Sequence, residues 1–189
     1  MADSITIAKG RDGTVAIRCH VLNGRGGYVE AKASAAAVAG ATSISIDRLE
    51  YTLASGDMLQ IGDGLVVTLN GAHAIGATTL TVTSTPGPIK AGEVMRLLPD
   101  LSGYTIALRI LADADDLVPI IPVANLPVTI PTQSTILNRG IFNVAVEAAD
   151  TSSLTGGPFF ATAWRTDSGQ KRNLWEGMFT IEDKGGVLT

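Results

Sequence analysis

The chain has few charged, aromatic, histidine and cysteine side chains, and these shortages exclude several classes of function. Charged residues make up 17% of the 189 residues, and the formal net charge of −4 disfavours binding to a phosphate backbone. The single cysteine, Cys19, rules out an intramolecular disulfide framework and a thiolate metal site. No apolar run approaches the roughly 18 residues of a membrane span. The sequence therefore predicts neither a nucleic-acid partner nor a membrane partner.

Side chains in a catalytic or metal-binding arrangement are also lacking. His20 and His73 are the only histidines, and neither has a second ligand at metal-binding spacing. The acidic run at 113–116 lacks the glycine and the glutamate that a calcium loop requires. No serine lies in a Gly-x-Ser-x-Gly turn. We therefore expect no enzymatic activity, no cofactor, no metal and no small-molecule substrate.

The composition that is present favours β structure. Apolar residues make up 46% of the chain, and 21 glycines and 8 prolines interrupt it, as in a protein of many short strands joined by tight turns. An all-β fold is therefore expected. Alternating polarity predicts two hairpins, 4–7 with 14–21 and 159–166 with 174–181, and strands at 104–111 and 141–148.

Residues 38–61 are repeated in register, without a gap, at residues 74–97. The first copy begins Val-Ala-Gly-Ala-Thr-Ser-Ile-Ser-Ile and the second begins Ala-Ile-Gly-Ala-Thr-Thr-Leu-Thr-Val, and each later reaches a glycine followed by Asp or Glu. Two copies are too few for a solenoid, which needs about three repeats to bury a continuous core. They suffice for a small pseudo-symmetric β module in which each half covers the apolar face of the other.

The position of the repeat in mid-chain predicts an insertion. Residues 30–98 would form the inserted module, and residues 1–29 together with 99–189 would form a discontinuous domain around it. About seven strands at roughly ten-residue spacing predict that this outer domain is a β sandwich of the immunoglobulin-like or jelly-roll type. Three consecutive subdomains are the alternative, although the N-terminal hairpin is too short to fold alone.

Two tryptophans flank the turn of the last predicted hairpin and are candidate contact residues. A turn centred near residues 168–170 would place Trp164 opposite Trp175 on neighbouring antiparallel strands, with both side chains on one face. That face is either part of the core or a protein or glycan contact, because tryptophan is common in both settings.

A second candidate contact lies in the proline-bearing stretch 117–131. Proline cannot donate a hydrogen bond to a β ladder, so this stretch predicts an edge strand or an extended crossing segment. Within it, Ile120 and Ile121 are the residues that we expect to contact a partner protein.

Several segments resemble virion proteins of tailed bacteriophages. They are Asp-Leu-Ser-Gly-Tyr-Thr-Ile-Ala-Leu-Arg-Ile at 100–110, Thr-Ala-Trp-Arg-Thr-Asp-Ser-Gly at 162–169 and Leu-Trp-Glu-Gly-Met-Phe-Thr-Ile at 174–181. The chain is most similar in these segments to the N-terminal β-sandwich domains of baseplate and tail-fibre-anchoring proteins. In those proteins an early glycine-bounded hairpin, here residues 10–15, leads directly to the first of these strands, whereas here residues 30–98 intervene. The duplicated pattern also resembles modules of phage head and tail proteins.

The resemblance implies a structural role in a phage particle and carries over no catalytic residues. The expected partners are other phage virion proteins and further copies of the chain in a homo-oligomer. The expected location is the virion, after assembly in the host cytoplasm. A tail, baseplate or neck protein that seats fibres or neighbouring virion proteins is the first interpretation, and a capsid decoration (cement) protein is the second. A carbohydrate-binding module, with Trp164 and Trp175 as its platform, is the alternative from another class.

Overall fold

The computed structural model describes residues 3–23, 25, 27–62, 64–123, 126–167 and 172–182. Within these residues the chain forms thirteen β-strands and one short helix, which confirms the predicted all-β fold of sandwich type. In chain order they are β1 (Asp3–Ala8), β2 (Gly13–Arg18), β3 (Glu30–Lys32), β4 (Ser43–Ser45), β5 (Met58–Ile61), β6 (Leu65–Thr68), β7 (Thr79–Thr81), β8 (Val94–Leu98), β9 (Ile106–Leu111), β10 (Val128–Thr129), β11 (Ile141–Val146), α1 (Ala148–Ser152), β12 (Gly157–Arg165) and β13 (Arg172–Glu182).

The chain divides into two compact units. The sandwich unit comprises Met1–Arg18, Leu101–Thr132 and Ile141–Thr189, and the duplicated unit comprises Cys19–Asp100 and Gln133–Gly140. The sandwich unit is therefore discontinuous in sequence, and the repeat lies entirely in the duplicated unit.

The boundary before the repeat lies earlier than the predicted one between residues 29 and 30. Segment 19–29 belongs to the duplicated unit because the backbone N–H of Val21 donates to the carbonyl of Leu97 at 2.8 Å. The N–H of Leu97 donates in turn to the carbonyl of Val29 at 3.0 Å. The loop 133–140, which the sequence assigned to the outer domain, also belongs to this unit. Both differences arise from hydrogen bonding and packing between parts of the chain that are distant in sequence.

The sandwich unit contains two sheets. The first has the strand order β1-β13-β12-β9, in which β1 runs parallel to β13 and the other pairs are antiparallel. The second has the order β10-β11-β2 and is antiparallel throughout. The predicted strands near 104–111 and 141–148 and the predicted hairpin of 159–166 with 174–181 are present as β9, β11 and β12–β13.

The predicted hairpin between residues 4–7 and 14–21 is wrong. The two strands form, but β1 pairs with β13 and β2 pairs with β11. After β1 the chain leaves the first sheet at Gly10, whose backbone N–H donates to Oγ1 of Thr151 at 3.0 Å. A glycine-bounded turn allows a hairpin but does not require one, because in a sandwich consecutive strands can enter opposite sheets.

One face of the first sheet is apolar and buried. Side chains alternate between the two faces of a strand, so the register decides which residues share a face. Across the sheet Ile5 pairs with Phe179 and Ala163 with Leu108, and all four are buried. The second sheet buries one face of β11 through alternate residues. The buried residues of the first sheet's inner face are Ile5, Ile7, Ile106, Leu108, Ile110, Ala161, Ala163, Trp175, Phe179 and Ile181.

The duplicated unit has an internal two-fold relation between its halves. Ile44 of β4 pairs with Leu80 of β7, which is its own counterpart in the second copy of the repeat. Gln60 of β5 pairs in the same way with its counterpart, Arg96 of β8. A residue can pair with its own counterpart only where a local two-fold axis relates two antiparallel strands. The two copies of the repeat therefore pair through antiparallel strands, as the two subunits of a symmetric dimer would.

The two-fold relation extends the repeat toward the N-terminus. The four-stranded sheet has the order β3-β8-β5-β6, and β3 at one edge is the counterpart of β6 at the other. The repeat thus begins at about residues 30 and 66 rather than at 38 and 74. Glu-Ala-Lys in β3 and Val-Val-Thr in β6 have no side chains in common, so the sequence alone gave no sign of this part.

The glycines of the repeated turns adopt a conformation that other residues avoid. Gly40 and its counterpart Gly76 have φ angles of 82° and 93°, and Gly56 and its counterpart Gly92 have φ angles of 86° and 87°. An L-residue with a side chain is strained at such positive φ angles, whereas glycine is not. The repeated glycines therefore mark four turns of equivalent geometry, two in each half.

The acidic residue that follows the second glycine of each copy closes the turn. Oδ2 of Asp57 accepts a hydrogen bond from the backbone N–H of Ala54 at 2.7 Å. Oε2 of Glu93 accepts one from the N–H of Lys90 at 2.6 Å. The repeated Gly-Asp/Glu motif is therefore structural, since a carboxylate satisfies a backbone donor that the turn leaves free.

Candidate interaction surface

The two candidate tryptophans lie on the paired strands β12 and β13, but their side chains do not share one face of the sheet. Ala163 pairs with Trp175, and Trp164 pairs with Asn173 across an irregularity in the ladder between Ala163 and Trp164. The predicted pairing of Trp164 with Trp175 is therefore wrong. The turn at 168–170, from which that pairing was inferred, lies outside the described residues.

The register places the tryptophans on opposite faces of the sheet. Trp175 lies on the inner face and is 7% exposed. Trp164 is half-buried on the outer face, where it pairs with Ala107 of β9. Because side chains alternate with a period of two residues, an error of one residue in register moves a side chain to the other face. Trp175 is thus a core residue, and Trp164 alone remains a candidate contact.

The outer face of the first sheet combines aromatic, thioether and charged side chains. Phe160 pairs with Met178, and Thr162 lies between Arg109 and Glu176, on the same side as Trp164. The guanidinium of Arg109 lies 5.5 Å from the centre of the Trp164 ring, within the range of a cation–π contact. Phe160 and Trp164 are half-buried and Met178 is exposed. We call Arg109, Phe160, Trp164 and Met178 the outer aromatic face.

An ion pair lies at the end of β12, where the register places Arg165 on the opposite face from Trp164. The guanidinium of Arg165 donates three hydrogen bonds of 2.7–2.9 Å to the carboxylate of Asp167 and lies 3.7 Å from the centre of the Tyr104 ring. Oδ1 of Asp167 also accepts the backbone N–H of Thr105 at 3.2 Å. The hydrogen bond from Arg165, followed by that from Thr105, lowers the pKa of Asp167 from 3.8 to about 2. The same hydrogen bond raises the pKa of Arg165.

Asp167→Asn is expected to reduce the acid sensitivity of the sandwich unit. A carboxyl group with a lowered pKa in the folded state contributes stability above its unfolded pKa, here 3.8, and that contribution is lost as the pH falls toward about 2. The pair is partly exposed to solvent, so the effect should be small. Free energies of unfolding from urea titrations, taken stepwise from neutral pH to about pH 2, would measure it. Arg165→Gln removes the other partner and should flatten the same pH range, and an unchanged pH dependence in both variants would contradict this account.

The second predicted contact pair separates into a core residue and a half-buried one. Ile121 is completely buried and forms an isolated β-bridge with Ile110. Ile120 is half-buried, and its backbone N–H donates to the carbonyl of Ile110 at 2.8 Å. The prediction that Ile121 contacts a partner is therefore wrong, because its side chain packs inside the unit. Among the described residues of the predicted edge segment, only Val128–Thr129 forms a strand, at the edge of the second sheet.

The exposed apolar residues of this segment lie just before Ile120. Leu117 is 86% exposed and Val118 is 78% exposed. They follow a turn in which Oδ2 of Asp116 accepts the backbone N–H of Asp113 at 2.9 Å. The N–H of Asp116 donates to the carbonyl of Asp113 at 3.2 Å, so the acidic residues close their own turn. We call residues 112–118 the acidic loop.

The described residues contain no group of three or more histidine, cysteine, aspartate or glutamate side chains placed to hold a metal ion. In the same part of the chain, no helix has the length and apolar character that crossing a membrane requires. Cys19, the single cysteine, is buried.

Sequence reasoning selected the right segment for a contact but the wrong residues. Leu117 and Val118 belong to the stretch 117–131, yet the sequence favoured Ile120 and Ile121. The signal available in the sequence is that Leu117 and Val118 directly follow a segment with three aspartates in four residues, because such an acidic segment is rarely buried in a core.

Comparisons of the chain with protein-family models, with curated proteins and with solved structures find no match. The functional argument therefore depends on the residues and geometry of this chain.

Proposed function

We propose that this chain is a structural protein of a larger assembly, joined to other proteins and to copies of itself by apolar side chains on its surface. The observation that supports this proposal is a set of large apolar residues exposed to solvent on both units. Among them are the adjacent pairs Leu117–Val118 and Ile136–Leu137. Single exposed apolar residues are ordinary, whereas adjacent ones form patches that mark interaction sites. The low proportion of charged residues, 17%, supports the same role.

The turns of the duplicated unit add further apolar contacts. Val38 is 74% exposed and Ile75 is 63% exposed, and they occupy neighbouring positions of the equivalent turns before Gly40 and Gly76. Each half of the unit therefore presents one large apolar side chain in this turn, at positions that differ by one residue between the halves. Two such projections suit contacts with two neighbouring molecules, as in a symmetric assembly.

We further propose that the assembly is a tailed-phage particle, with a tail, baseplate or neck position first and a capsid decoration role second. The support is the resemblance of residues 100–110, 162–169 and 174–181 to virion proteins. Of these segments, 100–110 includes part of β9 and 174–181 lies within β13. Electron microscopy of particles labelled with an antibody against the chain distinguishes head, neck and baseplate positions. Absence of label from every purified particle would refute the virion proposal.

A carbohydrate-binding platform made of Trp164 and Trp175 is not compatible with this geometry. A stacking platform needs both rings on one accessible surface, but Trp175 is buried on the inner face and Trp164 lies on the outer face.

Replacing Leu117 and Val118 together with lysine is expected to weaken assembly while leaving the fold intact. Both side chains are in solvent, so their loss removes little buried area, but a partner that covers them would have to bury two charges. Sedimentation of the purified chain and its incorporation into particles measure assembly, and thermal unfolding measures the fold. Asp115→Lys changes the charge of the same acidic loop without removing an apolar side chain, and it should incorporate better than the double variant. Normal incorporation of the double variant would place the contact elsewhere.

A further inference from the structure

The duplicated unit has a cleft beside its first half. It has a volume of about 260 Å³ and is open to solvent on one side. The residues that matter here are Tyr28, Glu30, Lys32, Asp47, Arg48 and Tyr51. We call it the tyrosine cleft, and its residues lie on or next to β3 and in the segment that follows β4.

Both tyrosine rings are held in place before any ligand arrives. The guanidinium of Arg96 lies 4.9 Å from the centre of the Tyr28 ring, and the ring of His20 meets Tyr28 edge-on at 5.4 Å. Tyr51 is half-buried and packs against the core of the unit. A fixed aromatic ring loses little conformational entropy when a ligand binds, so these rings are suited to be a contact surface.

The side chain of Asn23 also fixes the backbone near Tyr28 through hydrogen bonds. Oδ1 of Asn23 accepts hydrogen bonds from the backbone N–H groups of Arg25 at 2.8 Å and Gly27 at 3.1 Å. Nδ2 of the same side chain donates to the carbonyl of Tyr28 at 3.3 Å. Asn23 therefore sets the position of Tyr28 at the rim of the cleft.

The internal two-fold relation provides a comparison within the chain. Both halves make the same strand pairings, so residues that the fold itself requires should have similar counterparts. The polar cleft residues do not. The counterparts of Glu30, Lys32, Asp47, Arg48 and Tyr51 are Val66, Thr68, Thr83, Ser84 and Gly87.

The second half is packed differently at the equivalent positions. A Cβ atom at Gly87, the counterpart of Tyr51, would lie 3.2 Å from Cδ1 of Leu65, so a larger side chain would force Leu65 to move. Val66, the counterpart of the exposed Glu30, is buried with Met58 and Leu98. The same strand pairings therefore form without charged or aromatic residues at these positions. In the first half Glu30 also forms a solvent-exposed ion pair with Arg96, whose Nε lies 3.6 Å from Oε2 of Glu30.

We infer that the tyrosine cleft binds a neutral saccharide. The C–H face of a sugar ring can pack on a tyrosine ring, while its hydroxyl groups both donate and accept hydrogen bonds. The cleft offers both kinds of partner, with Glu30, Asp47 and Glu50 as acceptors and Lys32 and Arg48 as donors. An ion of either sign would meet like charges in this mixture, so a neutral polar ligand matches it better. The inference does not depend on the proposed role in assembly.

The test uses the full chain and a panel of neutral tetrasaccharides: cellotetraose, maltotetraose, mannotetraose and chitotetraose. Titration calorimetry should detect binding of at least one of them. Tyr28→Ala and Arg48→Ala should each weaken that binding by about tenfold or more, the loss of one or two good contacts. Tyr28→Phe keeps the ring and should bind more tightly than Tyr28→Ala. Ser84→Ala, at the counterpart of Arg48, should leave the affinity unchanged, and thermal unfolding of each variant verifies its fold.

Two results would overturn the inference. One is the absence of binding to all four sugars, and the other is binding that survives Tyr28→Ala and Arg48→Ala in folded protein. A tetralysine peptide is included as a probe of the alternative occupant, a basic protein segment. If that peptide bound instead, and Glu30→Gln weakened it, the cleft would be a protein-binding site and the saccharide inference would be wrong.

Discussion

Trp175→Ala is expected to lower the free energy of unfolding of the sandwich unit by about 3–5 kcal/mol. Trp175 lies on the inner face of the first sheet and is 7% exposed, among the buried residues of β9, β12 and β13. Removing the indole leaves a cavity that rigid strands can fill only in part, so both the transfer free energy and the packing are lost. Urea unfolding followed by circular dichroism measures the change.

Trp164→Ala is the matched control in the same hairpin. Trp164 is half-buried on the outer face, and its principal described partner is the guanidinium of Arg109 at 5.5 Å. Its loss should cost roughly 1 kcal/mol. Equal destabilisation by the two substitutions would contradict the assignment of the tryptophans to opposite faces. A stable Trp164→Ala variant that assembles poorly would support the outer aromatic face as a contact surface.

Ile44→Ala and Leu80→Ala are expected to destabilise the duplicated unit by similar amounts, about 2–5 kcal/mol each. The two side chains are completely buried and pair with each other at the local two-fold axis between β4 and β7. Because the same core surrounds both, truncation of either leaves a cavity in an equivalent place. Urea unfolding of each single variant measures the two costs.

The double variant Ile44→Ala with Leu80→Ala tests whether these residues are direct neighbours. Contacting residues usually show a coupling free energy of about 0.5–3 kcal/mol, so the cost of the double substitution should differ from the sum of the single costs. Strict additivity, or single costs that differ by several kcal/mol, would contradict the two-fold relation at this position.

The fold class and the existence of the duplicated unit follow from local patterns in the sequence. Alternating polarity marks the strands because one face of each is buried, as in β9 and β11. The repeated Gly40 and Gly76 mark equivalent turns because their positive φ angles exclude most other residues. Such signals depend on a few neighbouring residues, so they can be read without knowing the rest of the structure.

Strand pairing and register depended on the tertiary structure. Residues 4–7 and 14–21 were predicted as strands, yet the parallel pairing of β1 with β13 joins segments from opposite ends of the chain. Trp164 and Trp175 were predicted in one hairpin, yet a shift of one residue separated their faces. A short strand can pair with many partners at similar free energy, and burial of the whole core selects among them.

By itself, the sequence determined the all-β composition, the repeat and the turns that its glycines and carboxylates stabilise. Only the tertiary structure decided that Ile121 is buried while Leu117 is in solvent, because exposure depends on which distant segment covers a side chain. It also decided that Tyr28 and Tyr51 share one cleft. Local patterns determine which structures a segment can form, and long-range packing determines which of its side chains remain available to a partner.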